Sequence, residues 1–226
     1  MRTSLVIVFL GLFLAEWAEG ANVTRYRGPE NNGVFPATGL LRKWPKEGPR
    51  LLWKHPIGDA WAGPAVVDGT VYIGGGVSGQ LYAFSLDGEL KFKYPFGSTT
   101  WKRFSGTRTV PIVSGDTAVV SAPNANLVGL DLKTGAWKWQ LNAWKSFGTG
   151  KGSMGWGYPE TPMSFGDLIA FNCCSRDDQS PPIVAVNIHT GQKVWGADPG
   201  KDKKYSAGDV SGSYVHHGNG DLFVIT

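Results

Sequence analysis

Residues 129–139, GLDLKTGAWKW, lie over residues 185–195, AVNIHTGQKVW, without a gap. In both, a small residue is followed two places on by Asp or Asn, then by Thr-Gly, and Trp comes four residues after the glycine. A shortened copy, AFSLDGELKF at 83–92, has Asp87-Gly88 in the turn and Phe92 in the Trp place. Glycine supplies the positive φ of a tight hairpin, and Asp, Asn and Thr side chains cap the neighbouring backbone. The pattern therefore predicts a β-hairpin whose last strand ends in a large aromatic.

Upstream of each hairpin is another pair of short β-type runs: AGPAVVDGTVYIGG (62–75), TVPIVSGDTAVVSA (109–122) and ETPMSFGDLIAFNC (160–173). A fourth copy, SGSYVHHGNGDLFVIT, occupies 211–226 with Ser213 in the place of Pro64, Pro111 and Pro162, so the intervals are 47, 51 and 51 residues. Four strands in about 40–50 residues is the period of a β-propeller blade. The expectation is an all-β propeller of four-stranded antiparallel blades at 62–96, 109–142 and 160–197, with a lone outer strand near 51–55 and two inner strands at 211–226. Residues 21–50 read as a lead-in, and 51–226 as a propeller truncated in mid-blade. Among residues 21–226 no strong 3.6-residue apolar period competes with this reading, which excludes an α/β fold.

Residues 1–20 carry Arg2, an apolar run from Leu5 to Ala15 and the small residues Ala18 and Gly20. This is the layout of a cleavable signal peptide, and the run is shorter than the roughly 20 residues that span a bilayer. With no Cys beside the cleavage point, the sequence predicts a secreted or periplasmic chain without membrane span or lipid anchor. The 32 Gly and 14 Pro suit a turn-rich β fold. A formal charge of +4 becomes slightly more positive on loss of Arg2, Glu16 and Glu19. Such a modest balance in an exported chain excludes nucleic acid as the expected partner.

These residues resemble the pyrroloquinoline-quinone-like (PQQ-like) β-propeller repeat family, whose tryptophan-docking motif reads Ala-x-Asp-x-x-x-Thr-Gly-x-x-x-Trp. Gly129, Asp131, Thr134, Gly135 and Trp139 match it, as do Ala185, Asn187, Thr190, Gly191 and Trp195. The opening RYRGPENNGV with LLRKWPKEGPRLLWK is similar to secreted bacterial proteins of this type. The resemblance implies a ring of seven or eight blades, with Trp53, Phe92, Trp139 and Trp195 docking one blade on the next. Such a ring removes ~150–250 Å² from water, an upper estimate of several kcal/mol each at ~25 cal/mol per Å². Two functions follow from it. One is a non-catalytic binding or scaffolding module, as in outer-membrane assembly propeller lipoproteins, with no cofactor. The other is part of a quinoprotein alcohol or sugar dehydrogenase carrying pyrroloquinoline quinone and Ca²⁺. Some quinone-dependent alcohol dehydrogenases of this kind hold a vicinal disulfide, a possibility here for Cys173 and Cys174. Adjacent strand residues point to opposite faces, so such a bond strains the backbone. The alternative is two small apolar residues, reduced or paired with another chain.

The links between blades are GSTTWKRFSGTR (97–108), AWKSFGTGKGSMGWGYP (143–159) and GADPGKDKKYSAGDV (196–210), which propeller geometry gathers on one face. They hold Lys102, Arg103, Arg108, Lys145, Lys151, Lys201, Lys203 and Lys204 against Asp198, Asp202 and Asp209. Among these charges stand Trp101, Trp144, Trp156, Tyr158 and Tyr205. Cations beside flat rings suit a protein, an acidic peptide or an anionic glycan. Alternatively the rings cover blade tops and the charges are simply solvated. No catalytic or metal-ligating residue can be assigned. Gly74–Gly79 satisfies a dinucleotide pattern but precedes a strand, and His216-His217 diverge.

Overall fold

The computed structural model describes residues 22–24, 28, 33–35, 37–147, 157–158, 161–173, 183–196, 213–216 and 222–225. Three four-stranded antiparallel sheets follow one another along the chain. Sheet I comprises β1 (Ala65–Val67), β2 (Thr70–Gly75), β3 (Gln80–Ser85) and β4 (Leu90–Pro95). Sheet II comprises β5 (Ile112–Ser114), β6 (Thr117–Ser121), β7 (Asn126–Asp131) and β8 (Trp137–Asn142), followed by the short helix α1 (Ala143–Phe147). Sheet III comprises β9 (Met163–Phe165), β10 (Leu168–Asn172), β11 (Ile183–Asn187) and β12 (Lys193–Gly196). A further pair, β13 (Ser213–His216) and β14 (Leu222–Ile225), has the same antiparallel sense.

The strands are meanders, so neighbours in sequence are neighbours in each sheet. Equivalent registers recur. Across sheet I runs the row Ala65, Tyr72, Ala83, Phe92; across sheet II, Ile112, Val119, Gly129, Trp139; across sheet III, Met163, Ala170, Ala185, Trp195. The pairing shifts directly after the small residue of each third strand, between Ala83 and Phe84, Gly129 and Leu130, and Ala185 and Val186. A bulge there adds local twist.

Period-2 alternation then sends side chains to opposite faces. Ala118, Val120, Val128 and Leu130 of sheet II pack with Leu81 and Ala83 of sheet I. Val119 and Leu127 turn the other way and pack with Ile169, Phe171, Val184 and Val186 of sheet III. Sheet II is thus covered on both faces, and the dry interior lies between sheets.

Aromatic rings lock these interfaces at the hairpin-turn end. The Trp139 indole N–H of sheet II donates to the Ile188 carbonyl of sheet III at 2.8 Å. Its ring lies so close to Gly191 that a Cβ there would be 2.7 Å away. At the start of the domain, the Trp53 indole N–H donates to the Leu86 carbonyl at 2.8 Å, and its ring covers Gly88. Between sheets I and II the arrangement departs from the sequence expectation. Phe92 keeps the row position, but the ring over Gly135 is Tyr94, two residues later on the same face, with its hydroxyl 3.4 Å from the Lys133 carbonyl. Phe92 stacks behind Tyr94, with ring centroids 4.4 Å apart. A phenyl ring has no N–H to reach a turn carbonyl, and Tyr94 brings a polar tip instead. Trp195 is partly buried against Met163, Ala170, Ile183 and Ala185.

The lead-in is tied into the propeller. Val23 exchanges both backbone hydrogen bonds with Val66 on β1, at 2.8 and 2.9 Å.

Candidate functional site: the loop end of the sheets

Antiparallel meanders put the link 96–111, residues 143–147 and 161–162 at the ends of the next link, and the turn at 122–125 at one end of the sheets, and the Thr-Gly hairpins at the other. The first link is a braced platform. The Thr99 hydroxyl donates to the Gly76 carbonyl at 2.7 Å, and the Thr107 hydroxyl donates to the Gly74 carbonyl at 2.8 Å. The Trp101 N–H donates to the Ser105 hydroxyl at 3.1 Å, closing a tight loop. Trp61 supports it from below: its indole N–H donates to the Ser105 carbonyl at 2.9 Å and its ring meets Phe104 edge-on. At the tip, Lys102 and Arg103 are exposed.

Arg108 behaves differently. Its Nη2 donates to the Phe104 carbonyl, while its Nη1 is buried with no hydrogen-bond partner among the described residues. Burial lowers this guanidinium below its ordinary pKa, yet an arginine stays cationic in a protein. No carboxylate among the described residues pairs with it. The backbone of Gly157 packs against the same group, since a Cβ there would be 3.0 Å from Nη1.

The aromatic residues lie inside. Trp144 is 7% exposed and Tyr158 1%, and both belong to the cluster between sheets II and III. Their rings meet edge-on at 6.1 Å, and Trp101 approaches Trp144 at 6.0 Å. The Trp144 indole N–H is buried without a partner among the described residues. The Tyr158 N–H donates to the Pro123 carbonyl at 2.6 Å. Trp144 and Tyr158 are therefore unavailable as a stacking surface for a ligand in solvent, and they form the packed floor of this end. The spacing of charges and rings in sequence holds no signal for that inward turn. Lys145 remains exposed on α1, whose first turn is capped by the Asn142 side chain accepting from the Lys145 N–H at 3.0 Å.

Cys173 is fully buried in the same cluster. Cys174, Lys151, Trp156, Lys203 and Tyr205 lie outside the described residues, as do Lys201, Lys204 and the acids Asp198, Asp202 and Asp209. Sequence reasoning missed Trp61, Ser105 and Thr107, which hold the platform; a Trp ahead of the first repeat was the available signal.

The family profile described as outer membrane protein assembly factor BamB, a PQQ-like repeat profile, matches residues 39–226. The chain belongs to the PQQ-like β-propeller family. No curated protein sequence matches it. Among solved structures it is similar to a europium-containing methanol dehydrogenase, at 18% identity and a TM-score of 0.47, over 66% of this chain and 27% of that one. BamB from Moraxella catarrhalis is also similar, at 18% identity and a TM-score of 0.45, over 70% and 46% of the two chains. The computationally designed Ika4 protein shows 15% identity and a TM-score of 0.45, over 77% and 94%. This PQQ-like chain thus spans about a quarter of the methanol dehydrogenase and under half of BamB.

The described residues of the links 96–111 and 143–162 include no carboxylate for the Ca²⁺ of a quinone site. Ca²⁺ takes six to eight oxygen ligands, carboxylates foremost. Here the described side chains are hydroxyls, cations and aromatics, and the Asn142 Oδ1 already accepts from the Lys145 N–H. No group of three His, Cys, Asp or Glu gathers among the described residues. Among them, too, no helix is long and apolar enough to cross a membrane.

Proposed function

We propose that this chain is a non-catalytic binding module, exported by residues 1–20 to the periplasm or cell exterior, whose loop end receives an acidic segment of a protein partner. The observation that carries this reading is Arg108: a half-buried side chain whose Nη1 is buried and unpartnered, with no carboxylate beside it among the described residues. A cation with a buried, unpartnered nitrogen is partly desolvated, a cost that solvent at its exposed atoms reduces. Its field adds to that of exposed Lys102 and Arg103 on the same braced link, and an approaching carboxylate relieves part of that cost. Rigid support from Trp61, Ser105 and Thr99 reduces the ordering entropy lost on binding. The reading needs no cofactor.

The test is retention of the purified exported protein on a peptide and glycan array. Acidic peptides should be retained, with retention falling as salt rises, and Lys102→Ala with Arg103→Ala should reduce it at least tenfold. Equal retention by the double variant overturns the proposal. Preference for sulfated or uronic glycans over peptides reassigns the partner. Saturable quenching of Trp fluorescence by pyrroloquinoline quinone with Ca²⁺, accompanied by dye-linked alcohol oxidation, favours the dehydrogenase reading instead.

A further inference from the structure

At the hairpin end, a chain of polar contacts crosses the joint between sheets II and III. Thr117, the first residue of β6, is fully buried. Its hydroxyl has three polar side-chain neighbours among the described residues: Lys138 Nζ at 2.8 Å, His189 Nδ1 at 3.0 Å and Asp116 Oδ1 at 3.2 Å. Lys138 Nζ also lies 2.6 Å from Asp116 and 3.8 Å from Asp131. On the far side of the imidazole, His189 Nε2 is 3.3 Å from Asp167 Oδ1. Asp167 and His189 stand in turns of sheet III, while Asp116, Thr117, Asp131 and Lys138 belong to sheet II. The chain ends beside Ile188, whose carbonyl receives the Trp139 indole N–H.

Counting hydrogens restricts this chain to two arrangements. Lys138 only donates, so it occupies one lone pair of the Thr117 hydroxyl in both. The hydroxyl has a single hydrogen, and His189 Nδ1 and Asp116 Oδ1 compete for it. An ionised Asp167 only accepts, so the nitrogen facing it, Nε2, carries the hydrogen of the neutral ring and Nδ1 keeps a lone pair. Thr117 then donates to His189. When the ring takes a second proton from solvent, which reaches its 36% exposed side chain, Nδ1 becomes a donor. The hydroxyl now accepts from the ring and turns its own hydrogen to Asp116. Every group of the chain has a partner in either arrangement.

The joint between sheets I and II shows which part of this is ordinary packing. Thr70 stands in the place of Thr117, and Lys91 donates to it at 2.7 Å as Lys138 does to Thr117. Gly69 replaces Asp116 there, and Lys133 holds the turn position that His189 holds in sheet III. An ammonium has no lone pair with which to accept. The Thr-Lys pair thus recurs without the two ends of the chain, so His189 and Asp116 are additions to one joint.

We infer that the Thr117 hydroxyl is a two-position relay through which a proton taken up by His189 in sheet III is felt at the Asp116 carboxylate in sheet II, with the joint bridged in both states. The charged groups linked to it among the described residues are Asp167 from sheet III and Asp116, Lys138 and Asp131 from sheet II, with Lys133 adding to the field at Asp116. The Asp116 carboxyl is held below its ordinary range, first by the hydrogen bond from Lys138 and further by that from Thr117. The relay is independent of the basic loop end, which lies at the other end of the sheets.

The test is nuclear magnetic resonance of the full-length protein, following the ring nitrogens of His189 and the carboxyl carbon of Asp116 through the titration of His189. The neutral ring should carry its hydrogen on Nε2. The Asp116 carbon should show an inflection at the His189 midpoint, although Asp116 itself stays ionised there. Thr117→Val removes the hydroxyl at similar volume and should shrink that inflection by about threefold or more. Thr117→Ser keeps the hydroxyl and should preserve it. A neutral ring with its hydrogen on Nδ1 overturns the inference, as does an Asp116 carbon that ignores His189 in the native protein. An inflection of equal size in the valine variant overturns it too, because the imidazolium charge then acts directly through space. Loss of the inflection in the serine variant does the same.

Discussion

At the scale of single residues, the hairpin glycines answer two demands that can be separated. Gly191 has φ +68° and lies under the Trp139 ring, whereas Gly115 has φ +55° and open space where its Cβ would go. A left-handed conformation costs an alanine about 1–2 kcal/mol. Gly115→Ala should therefore lose about that much in urea unfolding. Gly191→Ala should lose about 2–4 kcal/mol, because it also displaces the indole. If the two cost the same, ring contact contributes nothing. The residue that opens each turn makes a second comparison. Asp131 Oδ1 accepts from the Lys133 and Thr134 N–H groups and from the Thr134 hydroxyl, at 2.9, 2.9 and 3.0 Å. Asn187 Oδ1 does the same with His189 and Thr190. The hydrogen bond from the Thr134 backbone is the largest cause holding the Asp131 carboxyl below its ordinary range, with Lys138 adding to it. A depressed folded pKa contributes stability that is fully present above the unfolded value of about 3.9 and is lost as pH falls through the lower folded value. Asp131→Asn keeps the amide oxygen, so stability at pH 7 should change little while the acid loss below about pH 4 becomes shallower. Thermal midpoints measured from pH 2 to 7 check this.

At the scale of the strand and its neighbour, alternation decides which side chains carry weight. Leu127 is fully buried between sheets II and III, while Leu90 on β4 is about half exposed. Leu127→Ala should cost about 2–5 kcal/mol, and Leu90→Ala less than about 1 kcal/mol. Denaturant midpoints at constant slope would show it. This distinction was legible in the sequence, because the repeats fix both the hairpin turns and the phase of each strand. The strand order, the three sheets and the placement of Trp139 follow from the Thr-Gly spacing and the preceding Pro. What was not legible is where a ring goes once the spacing is altered. One residue fewer before β4 left Phe92 in register but passed the contact with Gly135 to Tyr94, a choice that depends on reach across a gap between sheets. The loop end was read as a gathering of cations and aromatics, yet composition does not say which groups turn inward. Trp144 and Tyr158 are closed into the core by packing against Ile112, Phe171 and Val184, contacts between residues far apart in sequence. Arg108 looked like its neighbours Lys102 and Arg103, and only burial sets it apart.

At the scale of the whole molecule, stability is shared between interfaces. Each sheet touches chiefly the sheets before and after it, as in a repeat array where stability is close to a sum of units and nearest-neighbour terms. Sheet II is bounded by both large clusters, one with sheet I and one with sheet III. Sheet I has sheet II on one face, and on the other the unladdered segment 51–57 holding Trp53 and His55. Opening sheet II exposes two interfaces, and opening sheet I only one full interface. Native-state hydrogen exchange reads such local free energies strand by strand. The amides of β6 and β7 should therefore be the slowest to exchange, and those of β2 and β3 measurably faster, by about tenfold for each 1.4 kcal/mol of difference between the two interfaces. Identical rates in all four strands would instead mean that the sheets open only together, and that stability here cannot be divided among neighbours.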